Sequence, residues 1–101
     1  MKTDELYPLY VEKVPDVLKI GMLYIAKEWG TAIHLCACGC GYETITPLQP
    51  NNADGWILTD NEGKVTLRPS IGNWKGQHPY HAHYYITNNK IEWLDNVNKP
   101  R

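Results

Sequence analysis

The chain of 101 residues contains no phenylalanine, only three cysteines and no excess of charge of either sign. Ten basic and eleven acidic side chains give a net charge of −1, so the positive surface of a duplex nucleic-acid binder or of a polybasic membrane anchor is missing. No apolar run approaches the roughly 18 residues that a membrane-spanning helix requires. Residues 1–5 do not have the pattern of a secretory signal. We therefore expect a cytoplasmic protein that does not associate with a membrane.

Short runs with β propensity, separated by residues that favour turns, cover most of the chain. The runs are 20–25, 31–36, 42–46, 56–59, 65–67, 83–86 and 91–93. Gly63 and the pair Asn88–Asn89 suit hairpin turns, because both residue types tolerate positive φ. The only helical candidate is one turn over residues 15–19, which begins at Pro15. The sequence therefore predicts a mainly β fold, a small sheet of about six or seven short strands built from hairpins, with at most one short helical turn.

The length predicts a single domain, because about 100 residues is the size of one ordinary domain. Separate cofactor and substrate domains are excluded for the same reason. We place this β domain at residues 1–95. The polar end, residues 96–101, is predicted to be a flexible tail.

The three cysteines lie within five residues, as Cys36, Cys38 and Cys40. An odd number in one short segment does not make the disulfide framework of a small secreted domain, so metal or redox chemistry is favoured. On a flat strand successive cysteines would stand about 6.6 Å apart, whereas Zn²⁺ needs its sulfur ligands within about 4 Å of one another. Gly39 and Gly41 allow the backbone to fold over an ion, because glycine adopts positive φ readily. The segment is predicted to be a zinc-binding loop.

The fourth ligand is expected from a distant histidine. His83 is the first candidate, and His81, His78 and His34 are alternates. Closing the chain from Cys40 to His83 costs roughly 4 kcal/mol, against about 10 to 16 kcal/mol from structural zinc binding. Three thiolates and one imidazole would make a closed structural site.

Other interpretations of these side chains stay open. The cysteines also fit small buried apolar groups or free thiols, or a redox or nucleophilic cysteine paired with His83 or His81. His34 also fits a packed histidine with no ligand role. The four Trp and seven Tyr fit core residues that keep a polar tip at the surface, or a binding platform. For such a platform we select Ser70, Asn73 and Trp74, because the segment 68–74 is predicted to be irregular.

Five segments together are typical of one family: Leu23–Ile25, Thr31–Gly41, Thr46–Leu48, Leu67–Trp74 and His83–Ile86, followed by Ile91 and Trp93. Across residues 21–93 the chain resembles a small, uncharacterised bacterial family of predicted metal-binding proteins. Some members are encoded beside prokaryotic ubiquitin-like conjugation components, namely homologues of activating and conjugating enzymes and JAB-type peptidases. The resemblance implies a bound metal and a protein partner among those components.

The chain departs from this family at one position. The family's pattern is Pro-Cys-x-Ser-His-Tyr, and this chain has Pro79 to Tyr84 there, with Tyr80 in the place of the cysteine. The resemblance therefore implies that a family ligand is lost or replaced here, and it matches His83 better than the other histidines.

The function predicted from these features is a zinc-binding interaction or adaptor module without enzyme activity, acting in a ubiquitin-like conjugation pathway. The chain shows no pair of catalytic carboxylates and no phosphate-binding glycine loop, and a closed zinc site leaves no position for water. The alternative is a zinc-dependent hydrolase or a Cys/His thiol enzyme with a cleft lined by Trp74 or Glu43. A zinc module that stacks single-stranded nucleic acid on Tyr84, Tyr85 and Trp74 is disfavoured, because its positive groove is missing.

Overall fold

A computed structural model describes residues 3–75 and 78–94, with the side chains of residues 73–81 outside that description. The strands are β1 Tyr7–Tyr10, β2 Met22–Ala26, β3 Thr31–Leu35, β4 Glu43–Pro47, β5 Ile57–Asn61, β6 Lys64–Lys75, β7 His78–Thr87 and β8 Lys90–Trp93. One 3-10 turn, Lys27–Trp29, lies between β2 and β3. The predicted flexible tail, residues 96–101, lies outside the described residues.

The strands form two four-stranded sheets, which confirms the predicted mainly β fold. The first sheet has the order β1-β2-β3-β4 and the second has the order β5-β6-β7-β8. All neighbouring strands are antiparallel except β1, which runs parallel to β2. Within the described part of the chain no helix is long and apolar enough to cross a membrane.

The predicted hairpins are confirmed, and three details of the prediction are wrong. The chain over residues 15–19 forms bends rather than a helical turn, and β1 was not predicted. The helical turn lies instead at Lys27–Trp29, where Gly30 ends it in the left-handed region with its N–H bonded to the Lys27 carbonyl. Residues 68–74, predicted to be irregular, belong to β6. Pairing between β6 and β7 over most of their length explains that extension.

Apolar side chains from both sheets form one core. Leu23, Ile25 and Ala32 come from the first sheet, and Leu67 and Ile86 come from the second. Each of these side chains is buried, as alternation along the inner face of a strand requires.

Backbone contacts outside the ladders also connect the two sheets. Leu48, just after β4, bridges to Trp56, just before β5. Near the N-terminus, Glu5 bridges to Lys90 at the start of β8. The first and second sheets are therefore held together at both of these places.

A polar contact lies inside this apolar core. The Tyr84 hydroxyl on β7 is 2.7 Å from Nε2 of His34 on β3, and both side chains are fully buried. The Tyr84 ring also packs edge-on against Trp93, with ring centroids 5.2 Å apart. A buried polar atom requires a partner, so this hydrogen bond fixes how β7 lies against β3.

Replacing Tyr84 with phenylalanine tests the importance of that contact. Tyr84→Phe keeps the ring and leaves His34 Nε2 without its partner, so we expect the free energy of unfolding to fall by about 1 to 3 kcal/mol. Tyr85→Phe is the matched control, because Tyr85 is only half-buried on the opposite face of the same strand, and it should cost less than about 0.5 kcal/mol. Urea denaturation measures both values, and equal losses would contradict the prediction.

Candidate metal centre and serine–histidine pair

The three cysteines lie in the loop that joins β3 to β4. The Cys36 N–H donates to the Tyr42 carbonyl at 2.8 Å, which closes the base of the loop. Within it, the Gly39 N–H donates to the Cys36 carbonyl at 3.0 Å. Gly39 and Gly41 have φ of +87° and +83°, a conformation that residues with a Cβ rarely adopt. These two glycines allow the chain to turn twice within a few residues.

This loop brings the three sulfur atoms together as predicted. The Sγ atoms of Cys36, Cys38 and Cys40 all lie within 4.8 Å of one another, and those of Cys36 and Cys38 are 3.3 Å apart. Two thiolates on one tetrahedral Zn²⁺ stand about 3.8 Å apart, given Zn–S bonds of about 2.3 Å. The spacing therefore fits three ligands of a single metal ion.

The chemistry of the donor set also favours a cation. Burial raises the pKa of the Cys38 thiol to about 12, and the hydrogen bonds from Cys40 and Cys36 contribute to the shift. A thiol with this pKa stays protonated at neutral pH unless a nearby positive charge stabilises the thiolate. A bound metal ion supplies that charge, so binding is coupled to the release of protons.

The predicted histidine ligands occupy different surroundings. Among the residues whose side chains the structure describes, the cluster of metal-binding atoms contains only the three cysteines. His34 points its Nε2 to Tyr84, and its Nδ1 is buried without a hydrogen-bond partner in the part of the chain that the structure describes. Burial lowers the pKa of His34 to about 4, so this imidazole is neutral. These contacts are those of a histidine packed in the core, which is one of the two interpretations that the sequence left open for His34.

His78 and His81 lie on β7, but their side chains fall outside the described residues, as do those of Asn73, Trp74 and Tyr80. The choice of the fourth ligand therefore stays a prediction. The Tyr84 hydroxyl lies 3.4 Å from the Ala37 N–H in the metal loop. Tyr84 directly follows His83 on β7. This contact therefore joins β7 to the loop that carries the three cysteines.

A second polar pair lies on the other sheet. His83 Nε2 on β7 is 2.8 Å from the Ser70 hydroxyl on β6, and both side chains are half-buried. This distance and these atoms match the hydrogen bond between a serine nucleophile and its general base. Ser70 was predicted as part of a binding surface, and the structure places it against His83.

An irregularity in the β6–β7 ladder positions Ser70. Between the pairs Leu67–Ile86 and Ile71–Tyr84, β6 advances four residues while β7 advances two. The extra residues of β6 form a bulge that contains Ser70, and bulges commonly redirect a side chain beside an active site. Arg68, at the start of the bulge, donates to the carbonyls of Leu67 and Ile86 and so fixes the two strands there.

Sequence reasoning did not identify Ser70 as a nucleophile. One signal was available, because Ser70 is the only serine in the chain. Its partner is thirteen residues away on the next strand, and the bulge that aligns them has no local sequence signature.

Removal of one cysteine tests the metal centre. Native protein purified without added metal should carry about one metal ion per chain by elemental analysis. Cys38→Ser should lower the metal affinity at least tenfold, because serine oxygen is a poor substitute for a thiolate on a soft metal ion. Tyr42→Phe, just outside the cysteine cluster, is the control and should keep the metal. A folded native protein with no metal and three thiols that react freely would contradict the prediction.

Comparisons with known proteins complete the description of the site. Neither the curated proteins nor the solved structures gave a match to the chain. A family model matches residues 10–94, which include the cysteine loop and the Ser70–His83 pair. The match covers most of the chain, and the protein therefore belongs to the family described as bacterial ubiquitination-like system serine protease (BubE).

Proposed function

We propose that the protein is a peptide hydrolase in which Ser70 is the nucleophile and His83 is the general base. The observation that carries the proposal is the 2.8 Å distance between Ser70 Oγ and His83 Nε2. The family's description as a serine protease supports it. Since the chain has a single serine, Ser70 is the only residue that can fill the role of a serine nucleophile.

The geometry suits acyl transfer. In the tautomer with its proton on Nδ1, His83 accepts the Ser70 hydroxyl proton at Nε2. Ser70 Oγ then bonds to the carbonyl carbon of the substrate, and the proton passes from His83 to the departing amine nitrogen as the peptide bond breaks. Water releases the acyl group from Ser70 in the second half of the reaction, with His83 again taking and returning one proton.

The metal centre has a structural role in this proposal, and zinc is the metal we assign to it. Cys36, Cys38 and Cys40 would hold the ion, and an ion in this loop stabilises the fold by joining three points of the chain. The loop contacts Tyr84, the neighbour of His83, so an ion that ordered the loop would also support the position of β7.

The Ser70–His83 pair favours this hydrolase over the adaptor module that the sequence predicted. The substrate or partner we assign is a component of a bacterial ubiquitin-like conjugation system. The family's name supports that assignment and agrees with the pathway implied by the sequence resemblance. A single domain over residues 1–95, working in the cytoplasm, completes the proposal.

The serine–histidine pair makes a prediction for a small serine-reactive probe. An alkyl fluorophosphonate should label the native protein on Ser70 and should not label Ser70→Ala. His83→Ala should slow labelling by roughly a hundredfold to ten-thousandfold, because the hydroxyl loses its general base. Mass spectrometry measures the rate and locates the label.

Metal analysis of the same variants separates the two roles of His83. If His83 is the base, His83→Ala keeps the metal while it loses labelling, and the neighbouring variant His81→Ala keeps its labelling. Loss of metal from His83→Ala with labelling unchanged would instead support the ligand role that the sequence predicted. A native protein that is folded and metal-loaded but is not labelled at Ser70 would refute the hydrolase.

A further inference from the structure

A cavity of about 270 Å³ lies directly beside the proposed catalytic pair. Its lining includes Ile71 and Gly72, which follow Ser70 in β6. Gly72 is also the cross-strand partner of His83. A group bound in this cavity therefore contacts the segment of β6 that directly follows Ser70.

The opposite wall of the cavity is the edge of the first sheet. Four consecutive residues, 42–45, line it. Successive side chains of a strand point to opposite faces, so consecutive residues line the same cavity only where the cavity runs along the strand's edge. β4 is the last strand of its sheet, with β3 on its other side.

The backbone groups of this edge can be assigned from the hydrogen bonds around β4. In an antiparallel ladder the N–H and C=O of one residue face the same neighbour, and this direction alternates along the strand. The Pro47 carbonyl accepts a bond from Trp56, away from β3, and the Tyr42 carbonyl accepts one from Cys36, on the side of β3. Glu43 and Ile45 have the parity of Pro47, so their N–H and C=O groups face the cavity.

The second sheet offers a strand edge on the other side. β5 pairs with β6 only from Lys64 to Arg68. From Pro69 to Gly72 the edge of β6 that β5 would cover has no strand beside it among the described residues.

Unpartnered polar atoms occur in the same cavity lining. The Thr44 hydroxyl and the Trp56 indole N–H are buried without a hydrogen-bond partner among the described residues. Thr44 itself is only 5% exposed. Buried polar groups of this kind mark places where a ligand or water completes the hydrogen bonding.

We propose that the substrate binds in this cleft as an extended polypeptide segment that adds a strand along the edge of β4 that faces away from β3. The inference rests on the proposed hydrolase function and specifies how its substrate is held. A peptide in extended conformation offers one donor and one acceptor per residue, which suits the outward N–H and C=O groups of Glu43 and Ile45. Pairing along β4 presents the peptide backbone, rather than a folded surface, to Ser70.

A proline at position 45 tests this binding mode. Ile45→Pro removes the outward N–H and breaks no bond to β3, and Pro47 shows that the same side of this strand accepts proline. Ile45→Ala is the matched control, because it also removes the exposed Ile45 side chain but keeps the N–H. The substrate probe is a pool of short synthetic peptides of random sequence, with cleavage followed by mass spectrometry. The alkyl fluorophosphonate reports on Ser70 separately, since it contains no peptide.

The expected result is a loss that affects peptides alone. Ile45→Pro should cleave the pool about tenfold more slowly than Ile45→Ala, whereas the fluorophosphonate should label the two variants at equal rates. Cleavage by Ile45→Pro at the rate of Ile45→Ala would overturn the inference. So would a native protein that is labelled at Ser70 but cleaves no peptide. Failure of labelling in the native protein would instead refute the hydrolase itself.

A measurement on the substrate side does not depend on how the variant folds. The native enzyme is given a peptide from the pool that it cleaves, with a methyl group on one backbone nitrogen at a time. A peptide paired as a β-strand has alternate N–H groups bonded to its neighbour, so slow cleavage should recur at every second position. A loss that shows no such alternation would overturn the proposed strand addition.

Discussion

The arrangement of the two sheets depends on the hydrogen bond between Tyr84 and His34. This bond joins β7 of one sheet to β3 of the other inside an apolar core, where both side chains are fully buried and a hydrogen bond is strong. The same hydroxyl lies beside the Ala37 N–H of the cysteine loop. Because His83 precedes Tyr84, a contact in the core determines the position of the proposed general base.

The two chemical centres depend on two different departures from regular strand geometry. In the β3–β4 loop, positive φ at Gly39 and Gly41 brings the three sulfurs together. In β6, extra residues between the paired positions of the ladder place Ser70 against His83. Regular strands would leave neighbouring cysteines too far apart for one ion, and would leave Ser70 on a different register from its partner.

Local signals account for what could be read from the chain. The alternation of polar and apolar residues in β4 and the turn residues around β5 and β8 act within a few positions. The sequence therefore predicted those strands correctly. The three cysteines, with Gly39 and Gly41 beside them, form a loop that could hold a metal ion, and the requirements of that loop are also local. The segment 68–74 was misread because Pro69 and Gly72 weaken strand propensity, while pairing with β7 supplies the hydrogen bonds that make it a strand.

The sequence by itself determined the mainly β fold class and the clustering of Cys36, Cys38 and Cys40, since both follow from residue types at short spacing. Only the tertiary structure decided that Ser70 and His83 meet, that His34 is a buried neutral imidazole and that a cleft runs beside the edge of β4. Each of these depends on contacts between residues at least ten positions apart, and on a strand register that shifts within one hairpin. Propensity and spacing do not encode such a shift, because many registers satisfy the same alternation of polar and apolar residues.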